Sequence, residues 1–448
     1  MLPRVRAPRE GVGFGVVEGF YGRPWSFAAR ADILRLLGKT GLSTYFYAPK
    51  SDPEHRSEWW RPQSPASLSA FESLAAAAKD ESVRLIYGVA PERMFGTKNL
   101  RVRNERDLEG AGFLALVARL AELLPRGVRE FALLFDDTWP TVVPRLASFE
   151  KGRSHALIAT RLADRLEAPV SVVPAVYFGR AADLSRGALE YLRGLASLGP
   201  MLTAWTGARI FSSFVSAADL DAVERSTGLN LWLWNNVIAN DWLPLATGEV
   251  VGGRGRQRLT YGPIDNVAPE LFTRGSGVLL NGSREKITTK VALTTFAALV
   301  REGHGYRSQP ALTRALDELF GSAAEPVARL FSLVFGHALA SPHIRGATKL
   351  DDLAALVRRG DESARRELAS ELAAFVSIDQ DIERALRDHP ALDELRPTAL
   401  KAARSARALV AALAKDPNAP RLAGEALRIP WGTALDGAVA LAQKGRFV

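Results

Sequence analysis

From residue 12 to about 302, short apolar runs alternate with longer stretches whose apolar residues recur at three and four positions, and this alternation constrains the fold more than any single motif. The runs 13–17, 43–47, 84–89, 130–135, 170–176, 201–205, 229–234 and 277–280 have the length and composition of strands buried on both faces, as a covered parallel sheet requires. Helical periods lie between them at 27–37, 68–79, 108–124, 155–166, 184–195, 217–225 and 286–299. Counting one weak helix after the seventh strand, in the Gly-rich stretch GEVVGGRGRQ, the pattern is eight strand–helix units in about 290 residues, the scale of a (β/α)8, TIM-like barrel. From about Tyr306 the composition turns to Ala, Leu, Arg and Glu with no strand-like run. Periodicity over 312–320, 327–338, 350–357, 368–376, 378–386, 392–413 and 433–442 predicts an all-α domain of five to seven helices, interrupted at Pro342, Pro390, Pro417 and Pro430. The expected division is a catalytic barrel over 1–305 and a C-terminal helical domain over 306–448. That helical domain shows no chemistry of its own, and its expected role is packing, against the barrel or against another subunit as a homodimer.

Counting residues where the expected strands end tests the barrel independently. Glu18, Gly19, Tyr21 and Arg23 follow the first strand, Lys50 and Asp52 the second, and Asp136 with Asp137 the fourth. Tyr177 follows the fifth, Thr206 the sixth, Asn236, Asn240 and Asp241 the seventh, and Asn281 the eighth. In a barrel all of these arrive at one face, the face on which active sites are built.

Composition removes several alternatives. The chain of 448 residues, 47% hydrophobic, is long enough for a large core and for two or three domains. Its net charge of +9 comes with scattered Arg and no basic block, so no nucleic-acid partner is expected. The lack of cysteine excludes disulfides, thiolate nucleophiles and Cys-ligated zinc, and six scattered His without an HExxH pattern make a metal site unexpected. No cofactor is expected either. No segment approaches 18 continuous apolar residues, and no apolar run of signal-peptide length precedes Gly11. The expectation is a protein with no membrane partner, cytoplasmic as the chain stands, or secreted if a signal has been removed.

The stretch FALLFDDTWP, 131–140, carries the chemistry, because a buried strand there runs straight into Asp136 and Asp137. Two carboxylates this close resist ionising together, so their pKa values are expected to separate and leave one as an acid near neutral pH. Neighbours in sequence are badly placed to act on opposite faces of a sugar ring, which calls for a carboxylate separation of about 5 Å or more. Hydrolases in which the substrate's own 2-acetamido group is the nucleophile escape that demand. The Trp and Asn residues of WLWNNVIANDW suit a sugar, since aromatic faces stack on pyranose C–H groups and amides bond to hydroxyls.

These residues carry a resemblance. GVVEGFYGRPW at 15–25, STYFYAPKSDPEHR at 43–56, FALLFDD at 131–137, AWTG at 204–207 and WNNVIANDW at 234–242 closely resemble glycoside hydrolase family 84, the family of O-GlcNAcases and bacterial β-N-acetylglucosaminidases, some of them described as hyaluronidases. The match runs in order from about 13 to 300. It implies a retaining β-N-acetylglucosaminidase in which Asp136 orients and polarises the acetamido group and Asp137 is general acid, then base. Tyr177 would steady the oxazoline-like intermediate, and Asn236, Asp241 and Asn281 would hold sugar hydroxyls. Lys50 and the Gly19 backbone would also touch the sugar, and Trp234 would line the acetamido pocket. The partner implied is a GlcNAc-bearing glycoprotein or glycan. The sequence departs from the commoner pattern at Asn235, where an Asp often stands, and at APERM, 90–94, where a SPG-like turn is common.

Purely structural readings stand beside these roles. Lys50 could pair with Asp52 at the surface, Trp25 and Trp59 could be core aromatics, and Arg23 could tie the first loop to its neighbour; Tyr21 and Trp205 are read as structural. Two other functions stay open from the sequence: an endo-acting hyaluronan hydrolase, and a silent sugar-binding barrel that presents its helical domain to a partner.

Overall fold

In a computed structural model of the chain, the structure describes residues 11–91, 105–137, 148–199, 201–241, 259–333, 348–431, 433 and 435–447. Eight parallel strands close into a barrel in sequence order: β1 Phe14–Glu18, β2 Thr44–Tyr47, β3 Arg84–Val89, β4 Glu130–Leu134, β5 Val170–Val173, β6 Leu202–Trp205, β7 Asn230–Asn235 and β8 Val278–Asn281. The ring closes where Phe14 of β1 pairs with Val278 of β8. Each strand begins within a residue or so of the expected run. β5 ends three residues early because the run continues into Pro174, which has no N–H to give to a neighbour.

The strands are buried almost throughout, and a cluster that takes residues from every one of them fills the barrel, among them Val17, Phe46, Ile86, Leu134, Val173, Ala204, Trp232 and Leu279. Seven helices accompany the strands: α1 Phe27–Thr40, α2 Pro65–Asp80, α3 Ala111–Ala121, α4 Phe149–Leu166, α5 Arg186–Ala196, α6 Ala217–Thr227 and α7 Lys286–Glu302. Five of them start on a serine whose hydroxyl accepts a first-turn N–H, at Ser26, Ser64, Ser148, Ser185 and Ser216. Such a cap is worth about 1 kcal/mol. After β7 the described residues 259–277 hold only a 3-10 turn, Pro269–Thr273, and GEVVGGRGRQ lies outside the described residues.

Helices α4 and α5 touch backbone to backbone. A Cβ on Gly152 of α4 would lie 1.9 Å from the Tyr191 carbonyl oxygen, and one on Gly194 of α5 would lie 2.0 Å from that of Phe149. Glycine weakens a helix by about 1 kcal/mol relative to alanine. Its presence at both facing positions is therefore a packing requirement, and it fixes the two helices that follow the strands bearing Asp136 and Tyr177.

Two compact units form. The first takes Met1–Val237, Asp265–Arg284 and Phe296–Tyr306; the second takes Ile238–Ile264, Glu285–Thr295 and Arg307–Val448. The chain thus passes from one unit to the other several times, the last time after Tyr306. The second unit holds eight described α-helices after the barrel: α8 Ser308–Phe320, α9 Ala324–Ser332, α10 Thr348–Arg358, α11 Glu362–Ala373, α12 Ile378–Ala385, α13 Arg396–Leu413, α14 Ala419–Leu427 and α15 Asp436–Gln443. That is one more than the five to seven expected. The helix outside the expected periods is α14; Pro420 falls in its first turn, where no intrahelical N–H bond is lost. Pro342 lies outside the described residues, whereas Pro390 opens a 3-10 turn and Pro417 and Pro430 bracket α14.

Candidate active site

β4 delivers the two carboxylates. Beyond Leu134, the Phe135 N–H still bonds to the Val173 carbonyl at 2.8 Å, and the chain then turns sharply with Asp137 at φ +54°. Asp is among the few residues that accept this left-handed conformation, because its short polar side chain bonds locally. Asp136 is buried, at 5% exposure, and one carboxylate oxygen accepts a hydrogen bond from the Lys50 ammonium. Its other oxygen, Oδ1, is buried with no hydrogen-bond partner. Asp137 accepts from the Tyr21 hydroxyl at 2.7 Å and from the Tyr177 hydroxyl at 3.0 Å, with Lys50 Nζ 3.7 Å away.

The electrostatics differ from the sequence expectation. Burial pushes the Asp137 carboxyl up, but Lys50, the Tyr21 hydroxyl, Arg56 and the Tyr177 hydroxyl outweigh it, and the group is held below its ordinary range. Mutual repulsion of two carboxylates was the expected dominant effect. The cations and hydroxyls brought in by the loops after β1, β2 and β5 reverse it, so in the ligand-free protein Asp137 is an anion. Burial and then the Asp137 charge push both tyrosine hydroxyls well above their usual value, so they stay protonated donors.

Across the rim, amides link three strands. Trp234 Nε1 and Asn281 Nδ2 both donate to Asn236 Oδ1 at 2.8 Å, Asn236 Nδ2 donates to the Ile210 carbonyl at 2.8 Å, and the Gly19 N–H donates to Asn281 Oδ1 at 3.0 Å. Position 19 tolerates only glycine, since a Cβ would stand 2.2 Å from the Trp234 ring. Lys50 Nζ lies 5.5 Å from the centroid of that ring. The structure therefore brings together Gly19, Trp234, Asn236 and Asn281 as one group and Lys50, Asp136, Asp137 and Tyr177 as another, with Lys50 between them. Asp241 is buried within 238–264, a segment of the second unit. Trp242 and the residues after Pro91 in the APERM stretch lie outside the described residues.

Some structural readings change. Lys50 pairs with the carboxylates, while Asp52 accepts from the Tyr47 hydroxyl. Trp25, Trp59 and Trp205 are buried as core residues, and Arg23 is exposed. Tyr21, read as structural from the sequence, places its hydroxyl 2.7 Å from Asp137 Oδ2, and its place after β1 was the available signal. Asn235 forms a reciprocal amide pair with Asn266 at 2.9 and 3.1 Å. An Asp there would set a second oxygen against Asn266 Oδ1, so the departure from the commoner pattern comes with its own partner.

A closed (β/α)8 barrel with a carboxylate pair and a polar, Trp-lined rim at the C-terminal ends of its strands defines the glycoside-hydrolase class. The family described as beta-N-acetylglucosaminidase matches residues 14–332, well over half of the chain, and the chain belongs to that family. This bears out the resemblance to glycoside hydrolase family 84. Two proteins called Protein O-GlcNAcase, from Rattus norvegicus and Mus musculus, are each 28% identical over 310 residues, which cover 68% of this chain and 31% of theirs. The chain spans about a third of the length of these curated relatives. Among solved structures, a Thermobaculum terrenum O-GlcNAc hydrolase mutant aligns with TM-score 0.77 at 21% identity, covering 96% of this chain and 93% of that one. CpGH84B aligns with TM-score 0.75 at 22% identity, covering 97% and 77%. At such identities the likeness shows the fold.

Proposed function

We propose that the chain is a retaining β-N-acetylglucosaminidase that works by substrate assistance, releasing O-linked GlcNAc from Ser or Thr of proteins or terminal β-GlcNAc from glycans. The observation that carries this reading is the unpartnered buried Oδ1 of Asp136, held rigid by the Lys50 bond on the other oxygen. A buried acceptor without a donor costs about 1–3 kcal/mol, and a substrate amide N–H would satisfy it. With that N–H held, the acetamido oxygen attacks the anomeric carbon, the bond to the leaving oxygen breaks, and Asp137 gives that oxygen a proton. Asp136 stabilises the positive charge of the cyclic intermediate. Water then attacks the same carbon while Asp137 takes its proton, and the two displacements restore the starting configuration. Gly19, Trp234, Asn236 and Asn281 bind the sugar. The exposed apolar Phe178, Ile210 and Phe214, on the segments after β5 and β6, offer a surface to the aglycone.

Release of N-acetylglucosamine from an O-GlcNAc-modified protein, measured beside chitobiose and hyaluronan, tests the substrate. Preference for the modified protein is expected; endo-cleavage of hyaluronan alone would replace this reading with the hyaluronidase one. Successive fluorination of the acetyl group should slow the reaction steeply, and Asp136→Ala should remove most turnover. A covalent glycosyl adduct on Asp136 by mass spectrometry would refute the mechanism.

A further inference from the structure

Arg56 reaches both carboxylates without contacting either directly. It is 2% exposed; Nη1 donates to the Tyr21 hydroxyl at 3.2 Å, and Nη2 donates to the main-chain carbonyl of Asp136 at 3.4 Å. Its guanidinium lies 5.7 Å from the centroid of the Tyr21 ring, and its Nε has no hydrogen-bond partner. Among the described residues it has no carboxylate in ion-pair range. Burying a cation in this way costs free energy, and stability alone gives no reason to place it there. The turn that carries it is pinned: the Arg56 N–H bonds to Asp52 and Pro53 carbonyls, and the neighbouring His55 is tied to the end of β3 through Gly88 and Ala90.

We propose that Arg56 is a positioning residue of the carboxylate pair: one arm of its fork clamps the peptide joining Asp136 to Asp137, and the other aims the Tyr21 hydroxyl at Asp137. The catalytic role of the pair rests on the proposed function. A planar guanidinium can hold two partners in fixed directions at once, which a lysine cannot. The peptide it clamps precedes the left-handed Asp137, a conformation that needs external support. The charged and titratable groups around it are Lys50, Asp136, Asp137, Tyr21, Tyr177 and the buried His55. The Arg56 charge is among the influences that lower the Asp137 carboxyl, so its removal moves that carboxyl upward.

The test compares Arg56→Gln, Arg56→Lys, Tyr21→Phe and the Tyr21→Phe/Arg56→Gln double variant in the full chain. Carboxyl-13C NMR, with the Asp137 signal assigned through Asp137→Asn, should show Asp137 titrating at higher pH in Arg56→Gln and close to its native position in Arg56→Lys. Turnover of an aryl β-N-acetylglucosaminide should fall about 10²-fold in Arg56→Gln, the scale of a misaligned catalytic group, while KM stays within about threefold. Arg56→Lys should recover only part of that loss, and the double variant should lose no more than the worse single one. An unmoved Asp137 titration in Arg56→Gln, or losses that simply multiply in the double variant, would overturn the inference. If Arg56→Gln does not fold, Arg56→Lys decides: native turnover overturns the clamp, and reduced turnover in a folded protein supports it. A wild-type chain that releases no N-acetylglucosamine defeats the proposed function instead, and the NMR titration still reports on Arg56.

Discussion

The proposed mechanism requires Asp137 to be an anion at rest and an acid at work. Its resting carboxyl is held low by Lys50, two tyrosine hydroxyls and Arg56 against the opposing effect of burial, so a substrate has to change that balance. A sugar that draws the Tyr177 hydroxyl to its own acetamido oxygen removes one of the stabilising donors and excludes water, and both effects raise the carboxyl. The basic limb of kcat, which reports the complex, should therefore lie at higher pH than that of kcat/KM, which reports the free protein. Coincident limbs in a pH–rate series would mean that binding leaves Asp137 as it was. Asp137→Asn keeps the left-handed turn, since Asn also accepts it, and should cost about 10²- to 10⁴-fold with poor leaving groups. The loss should be much smaller with a stable phenolate leaving group; an equal loss on both would remove Asp137 from the acid's role. Much of this site could be read in the sequence, because Lys50, Asp136, Tyr177, Trp234 and Asn281 all sit at or just past a strand end. The charge balance could not, since adjacency along the chain shows the repulsion between Asp136 and Asp137 but not the cations folded over them. Arg56 was hidden for the same reason: its partners are 35 and 80 positions away.

At the scale of elements, Gly152 and Gly194 let α4 and α5 approach backbone to backbone. Gly152→Ala gains about 1 kcal/mol of helix propensity but drives a methyl into the Tyr191 carbonyl, a backbone atom with no rotamer to give. Overpacking of this kind typically costs about 1–3 kcal/mol, so the net expectation is a lower Tm despite the better helix former. Thermal unfolding checks the sign; an unchanged or higher Tm would show that the two helices separate freely. Strands were the legible elements because a parallel barrel writes them as continuous apolar runs. The signal failed at two prolines: the apolar run continues past Pro174 although β5 ends before it, and α14, with Pro420 in its first turn, lies where the periodicity predicts no helix.

At the scale of the whole molecule, the second unit gathers distant pieces of chain. Leu259, Ile287 and Val291 belong to the same core cluster as Leu312, Phe331, Leu368, Leu409 and Val439, and no local pattern in the sequence announces that association. Glu394, in the 3-10 turn Pro390–Leu395, accepts the Ile287 N–H at 3.0 Å and so caps the start of α7. Burial, with Glu285 adding to it, pushes this carboxyl up to about 7 against the opposing Ile287 N–H, Lys286 and Lys290. A carboxyl raised in the folded state contributes stability that is complete below its unfolded value, near 4.3, and is lost as pH rises through about 7. At roughly 1.4 kcal/mol per unit, the loss by pH 8 is at most about 4 kcal/mol. Glu394→Gln keeps an acceptor for Ile287 and removes the charge, so it should be more stable than the native chain at pH 8 and no more stable at pH 4. Denaturant midpoints at both pH values decide this, and a variant weakened at pH 8 would show the carboxylate's favourable place at a helix N-terminus outweighing its burial. The pairing of β1 with β8 also has a consequence during synthesis. A ribosome adding roughly 5–20 residues per second delivers Val278 about 15–50 s after Phe14, and until then the growing sheet has two open edges. Open edges pair with other chains as readily as with their own. Recovery of folded protein should therefore depend less on the finished barrel's stability than on what shields β1 while its last neighbour is still being made.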